Sequence, residues 1–192
     1  MTLRGALGSS LASLVLAGCT PVADPSSAAG GAALGPATPW SDPDGRFTVD
    51  LAGAPKPRDA QEITAVGTVN YKVYGLDAEP YSFRVAAFAY PTLSGHPLDV
   101  AGELGHASGR AVARMRGTVE READVTVDGV PGKDLYFTVT APNGTRGRGV
   151  HRMLIASPPT RYQAFCLAPA SVDFAPCEAF VASLHPKPAA SK

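Results

Sequence analysis

The sequence predicts an α+β fold: one antiparallel sheet of about seven strands, packed by one long and one short helix. Three observations predict it. Alternating apolar and polar residues recur between 46 and 167, the period of half-buried strands. Short turn signals separate these runs, among them Asp44-Gly45, Asp128-Gly129 and Asn143-Gly144. Strands joined by such turns pair antiparallel, because a parallel pair needs a long crossover. The spacing of an amphipathic helix appears in only two stretches, 97–116 and 173–184.

The first strand, 46–51, turns Phe47, Val49 and Leu51 inward and Arg46, Thr48 and Asp50 outward, and Pro55 and Pro57 are expected to stop it. Residues 61–76 suggest two strands, the second with Val69, Tyr71 and Val73 on one face. Residues 81–90 form another, with Phe83, Val85, Ala87 and Ala89 inside and Pro91 at its end. The long helix, 97–116, presents Leu98, Ala101, Gly105, Ser108, Val112 and Met115 to the core. Asp99, Glu103, His106, Arg110 and Arg114 lie away from that face, with acids early and arginines late, which suits the helix dipole. Gly102, Gly105 and Gly109 each cost a helix about 1 kcal/mol relative to Ala. Small residues on the buried side imply a close approach to the sheet.

Beyond Gly117 the pattern returns to strands. Val119, Ala123, Val125 and Val127 alternate with Glu120, Glu122, Asp124 and Thr126, and strands at 135–141, 146–156 and 162–167 follow. Asp173 is placed to cap the short helix, whose buried side is Phe174, Cys177, Val181 and Leu184. No internal repeat is present.

The N-terminus reads as an export signal over 1–18. Arg4 gives a positive start, and 7–15 is a short apolar run broken by serines, too short to span a bilayer. Leu16-Ala17-Gly18-Cys19 resembles the lipobox of bacterial lipoproteins, cut just before the Cys, whose thiol accepts a diacylglyceryl group. The alternative is a secreted soluble protein with a coincidental Cys. Residues 19–39 are then a lipidated Cys19 and a flexible tether of Ala, Gly, Pro and Ser. Residues 40–185 are a single domain and 186–192 a disordered tail. The expected partners are the membrane, through the N-terminal lipid, and an envelope protein. The expected location is the cell envelope, facing the periplasm or exterior. Thr20 follows the Cys; an Asp there would favour inner-membrane retention in Gram-negative sorting, so its absence leans towards the outer membrane.

The chain has three cysteines. Export implies an oxidising compartment, and lipid on Cys19 leaves Cys166 and Cys177 as a pair. Their bridge would tie the final helix to the preceding strand; the alternative is two separate buried thiols. The ten-residue gap between them excludes a Cys-x-x-Cys redox site.

Charge is balanced at 17 basic and 17 acidic residues, which points away from nucleic acid. The histidines are His96, His106, His151 and His185. Glu103 and His106 could share a ligand, but a metal site needs three or four convergent groups, so no metal is expected. There is no Gly-x-Ser-x-Gly elbow, and Ser94-Gly95-His96 lacks an evident base, so no catalytic residue is assigned and the protein is expected not to be an enzyme. Glu120, Glu122 and Asp124 read as a solvated face. The glycines from Gly144 to Gly149 lack the phosphate-loop lysine and following helix, so they mark close backbone approach and no cofactor is expected. Arg146, Arg148, Arg152 and Arg161 could form a patch for an anionic partner, extended by Arg110, Arg114 and Arg116. The competing reading pairs them across strands with Glu120, Glu122 and Asp124.

The whole pattern resembles the PsbP-like group, an α/β/α sandwich named after an extrinsic protein of photosystem II. The resemblance rests on Asp44-Gly45-Arg46-Phe47-Thr48-Val49-Asp50-Leu51 with Pro55, on Val127-Asp128-Gly129-Val130-Pro131-Gly132, and on the close from Tyr162 through Phe180 to Leu184. It implies a fold and no shared catalytic residues. The cysteine pair is not a feature expected of the group. The function expected is a non-enzymatic binding or assembly module. The alternative is a carrier with a pocket between sheet and helix. A convergent polar pocket would favour the carrier, and an exposed apolar patch without a pocket the assembly module.

Overall fold

The computed structural model describes residues 34–64, 67–92 and 97–187. The leader, Cys19, the tether up to residue 33, Ser94, His96 and the last five residues lie outside them. Strands β1 (Thr38–Ser41) and β2 (Phe47–Leu51) form a hairpin, with Trp40 opposite Val49. Then come β3 (Lys56–Thr64), β4 (Gly67–Ala78), β5 (Tyr81–Ala89) and the long helix α1 (Val100–Arg114). Strands β6 (Thr118–Val127), β7 (Val130–Thr140), β8 (Arg146–Ala156) and β9 (Thr160–Pro169) follow, then α2 (Ala175–Ala182) and β10 (His185–Pro186).

Seven strands make one antiparallel sheet in the order β3-β4-β5-β9-β8-β7-β6. The fold class is the predicted one, but the strand count is composed differently. The 46–51 run leaves the main sheet and joins β1 and β10 in a three-stranded sheet of its own. Its place is taken by β3, which begins at Lys56 and contains Pro57, where a break was expected. Proline is tolerated there because β3 is an edge strand and needs no outward ladder bond. The ordered pairing also runs slightly past the expected domain limits, from Thr38 to Pro186.

Each face of the main sheet carries its own layer. On one side, the small sheet and α2 bury Phe47, Val49, Leu51, Phe83, Val85, Leu154, Tyr162, Phe180 and Leu184. On the other, α1 covers Met153, Ile155, Leu135 and Phe137 with Leu104, Ala107 and Val112. The central strands are therefore largely apolar on both faces, which explains the unbroken buried run from Val150 to Ala156, polar only at His151 and Arg152.

The face of α1 is rotated from the expected one. Ala101 and Gly105 are exposed, and Leu104 and Ala107 are buried in their place. Leu104 offers far more apolar area than a glycine, and that area decides which side docks. The expected close approach through small residues is absent, since Gly105 and Gly109 face outward. The helix starts at Val100, capped by the Asp99 carboxylate, which accepts from Gly102 N–H at 3.0 Å. In α2, Phe174, Cys177, Val181 and Leu184 are buried as expected, with Phe180 added.

Candidate functional site

The four arginines of the expected anionic-partner patch do not share a surface. Residues directly opposite in adjacent strands point the same way. Arg161 pairs with Ile155, on the α1 side, whereas Arg152 pairs with Ala164, on the α2 side. Arg152 is buried and grips Asp134 through Nε and Nη2, both at 2.7 Å. Arg148 lies over the Phe174 ring at 4.6 Å, and Arg146 is exposed. The acids proposed as cross-strand partners, Glu122 and Asp124, both pair with Lys133 at 3.2 Å.

Cys166 and Cys177 are joined in a disulfide, with Cα atoms 5.3 Å apart. The bridge fixes α2 to β9. Glu103 accepts from Arg110 at 2.9 Å and faces Tyr90. Burial, reinforced by that carboxylate, pushes the Tyr90 hydroxyl up to about 12. His185 pairs with Asp128 at 2.9 Å. Among the described residues no three or more His, Cys, Asp or Glu side chains gather as a metal site would need. Gly149 is a packing residue, since a Cβ there would strike the Phe137 ring.

A different group of residues converges. Because α1 lies over β7 and β8, the β4–β5–β9 end of the same face is only partly covered. A cavity of about 260 Å³ opens there, beside Ala111, Arg114 and Met115 of the helix. Strand alternation supplies its floor: Arg161, Gln163 and Phe165 from β9, His151 from β8, Tyr71 and Val73 from β4. Glu62 reaches in from β3 and accepts from Arg161 Nη1 at 2.7 Å. Both members of this pair are buried, so the charges are mutually compensated away from water. Tyr71 stacks on Phe88, ring centroids 4.3 Å apart, and burial raises its hydroxyl pKa. Arg84 is held at the rim by Asp77 at 2.6 Å.

His151 is sealed under α1. Desolvation, helped by the Arg161 charge, pulls its imidazole down to about 3, so it is neutral at physiological pH. Gln163 stands between the ring and Tyr71. Two buried polar atoms among the described residues have no hydrogen-bond partner: His151 Nδ1 and Arg161 Nε. Both belong to residues lining this one cavity.

Sequence reasoning singled out His151 and Arg161 separately, for other roles, and missed Glu62, Tyr71 and Gln163. Glu62 lies 99 residues from Arg161 in the chain, and no local pattern links the two. The signal available was a charge at a strand position in phase with inward residues, which edge strands often carry for other reasons.

No known protein family matches the chain, and no curated protein does. Solved structures do. The chain is similar to cyanobacterial PsbP (CyanoP) from Synechocystis sp. PCC 6803. The match covers 85% of this chain and 100% of that one, with a TM-score of 0.56 and 13% identity. The fold is PsbP-like. A weaker likeness, TM-score 0.45 at 16% identity, covers 79% of this chain and 91% of LpqN from Mycobacterium tuberculosis, a protein involved in cell envelope biogenesis. Another, TM-score 0.41 at 11% identity, covers 75% of this chain and 90% of a Pseudomonas aeruginosa protein of unknown function. No helix among the described residues is long and apolar enough to cross a membrane.

Proposed function

We propose that this chain is an envelope lipoprotein, anchored through lipid on Cys19, whose PsbP-like domain binds a small molecule in the cavity beside α1 without transforming it. The observation that carries the binding reading is the cavity beside α1, on whose lining Glu62, Tyr71, His151, Arg161 and Gln163 converge from four strands. A concave, largely apolar space with a few convergent polar groups is the usual form of a small-molecule site. His151, held far below neutral pH, fits hydrogen bonding better than proton transfer. The Cys166–Cys177 bridge supports an oxidising compartment.

Native mass spectrometry of the protein released from its own membranes tests the cavity. A bound small molecule is expected on the wild type and not on Ala111→Phe, which fills the space. A wild type that carries nothing, and that no compound in a metabolite library stabilises, would sink the reading. The anchor has its own test: Cys19→Ala is expected to lose membrane association and labelling by a palmitate analogue, and retention of both would refute it.

A second reading, the assembly module, draws on one observation. Ile63 is 77% exposed on the edge strand β3, where a partner's strand could add to the sheet. In-cell crosslinking should then capture one dominant envelope protein, lost in Ile63→Lys. A capture pattern unchanged by that substitution would count against docking at this edge.

A further inference from the structure

We infer that the outer half of the β3–β4 hairpin is a hinged flap that opens and closes the cavity beside α1, with the Glu62–Arg161 pair as its latch. It rests on the cavity reading above only for what the flap covers. The β3–β4 ladder is continuous from Lys56↔Gly75 to Thr64↔Gly67. The β4–β5 ladder is much shorter. It ends at Val73↔Ala86, although β4 extends back to Gly67 and β5 on to Ala89. That last stretch of β5 stays with β9 instead, Phe88 opposite Arg161. Beyond Val73, therefore, no backbone ladder joins the hairpin to the rest of the sheet. Its six outer pairs, Asp59↔Lys72 to Thr64↔Gly67, form a two-stranded arm. Val73 is the pivot, the last β4 residue before the arm that is paired on both sides.

A two-stranded ribbon is marginal in water by itself, so its position is decided by what it rests on. One face of the arm is exposed along its length: Asp59, Gln61 and Ile63 on β3, Thr68, Asn70 and Lys72 on β4. The ion pair on that face, Lys72 with Asp59 at 2.8 Å, ties the arm to itself and not to the sheet. The inner face is fastened through side chains. Glu62 accepts from Arg161 Nη1 at 2.7 Å, and Tyr71 stacks on Phe88 at 4.3 Å. Both fasteners land on one cross-strand pair, Phe88↔Arg161, so the arm closes on a single point. A clasp of two side chains can release in one step, whereas a ladder must be broken bond by bond. The arm and its pivot give the cavity Glu62, Tyr71 and Val73, while the other lining residues stand on β5, β8, β9 and the end of α1. A swing about Val73 thus lifts one wall and leaves the others in place. The charges make the closed state a defined one, because Glu62 is compensated there only while it reaches Arg161.

The test uses the full chain in mild detergent. Methyl relaxation dispersion, which reads the μs–ms motions typical of lids, follows Ile63 and Val69 on the arm and Leu135 and Val150 in the core. The two arm residues are expected to share one exchange rate, with the core residues flat. The neutral nitroxide TEMPOL, added as a probe of access, is expected to broaden the Gln163 side-chain amide signal in proportion to the open population. Glu62→Gln keeps the shape of the latch and removes its charge, and should raise both the open population and the TEMPOL effect roughly tenfold. Tyr71→Leu removes only the stack and should raise both several-fold; it carries the test if Glu62→Gln does not fold. Flat dispersion at Ile63 and Val69 in the wild type and the folded variants would overturn the flap. Unrelated rates at the two residues would also overturn it, since they would mean fraying from the tip and not a hinge. Arm motion that leaves Gln163 untouched by TEMPOL would overturn the link to the cavity. A moving arm on a protein that carries no small molecule would refute the cavity reading alone, and a loaded cavity under an arm that stays motionless in every variant would refute the flap alone.

Discussion

Asp134 and His151 illustrate two opposite ways in which a polar residue is held in this interior. Asp134 is buried, and the Arg152 fork takes both its oxygens. Asp134→Ala would strand a buried guanidinium, and urea denaturation should register a loss of about 3–5 kcal/mol. A loss under 1 kcal/mol would mean that water reaches Arg152. His151 is buried as the neutral ring. Its folded pKa, about 3, lies below its unfolded value near 6.5, so between these pH values the unfolded chain binds a proton that the folded chain refuses. Its contribution to stability is complete above about pH 6.5 and is lost progressively as pH falls towards 3. At pH 4.5 it amounts to a penalty of about 2–3 kcal/mol relative to pH 7. His151→Leu should remove that part of the acid sensitivity, read as a smaller difference in unfolding free energy between the two pH values. An identical difference in the variant would place the acid sensitivity elsewhere.

At the scale of elements, the disulfide and the long helix make separable predictions. A bridge closing so short a loop contributes about 2–3 kcal/mol on chain-entropy grounds, so Cys166→Ala with Cys177→Ala should lower stability by that amount. Hydrogen exchange should quicken first in α2, with α1 unaffected; uniform quickening would mean that the bridge supports the whole sheet. Gly109 is exposed inside α1 with room for a methyl group, so Gly109→Ala should stabilise by roughly 0.5–1 kcal/mol. The same contrast shows what the sequence could convey. Alternation located β5, β6, β7, β8 and β9, and helical spacing found both helices, because each pattern is local. The face of α1 was misjudged because Ala101 and Gly105 keep the spacing to Val112 about as well as Leu104 and Ala107, the residues that dock beside it. The choice is made by the area Leu104 can bury, a property of the pair of surfaces.

For the whole molecule, what could not be read was which distant strands become neighbours. Nothing around 46–51 announces that it will pair with β10 instead of joining the main sheet, and nothing around Glu62 announces Arg161. The cavity is assembled from β3, β4, β5, β8, β9 and α1 together, so it exists only at this scale. One feature of the strand order also bears on how the chain comes to be folded at all. The strand at the middle of the sheet, β9, is the last of the seven to be synthesised. Until it emerges, the sheet consists of two halves, β3-β4-β5 and β8-β7-β6, with no ladder between them. The pairing of β5 with β9 spans some 80 residues, a loop closure that slows folding. A chain still being made thus cannot close its core; were it exported as proposed, it would meet the channel while loose enough to be threaded through.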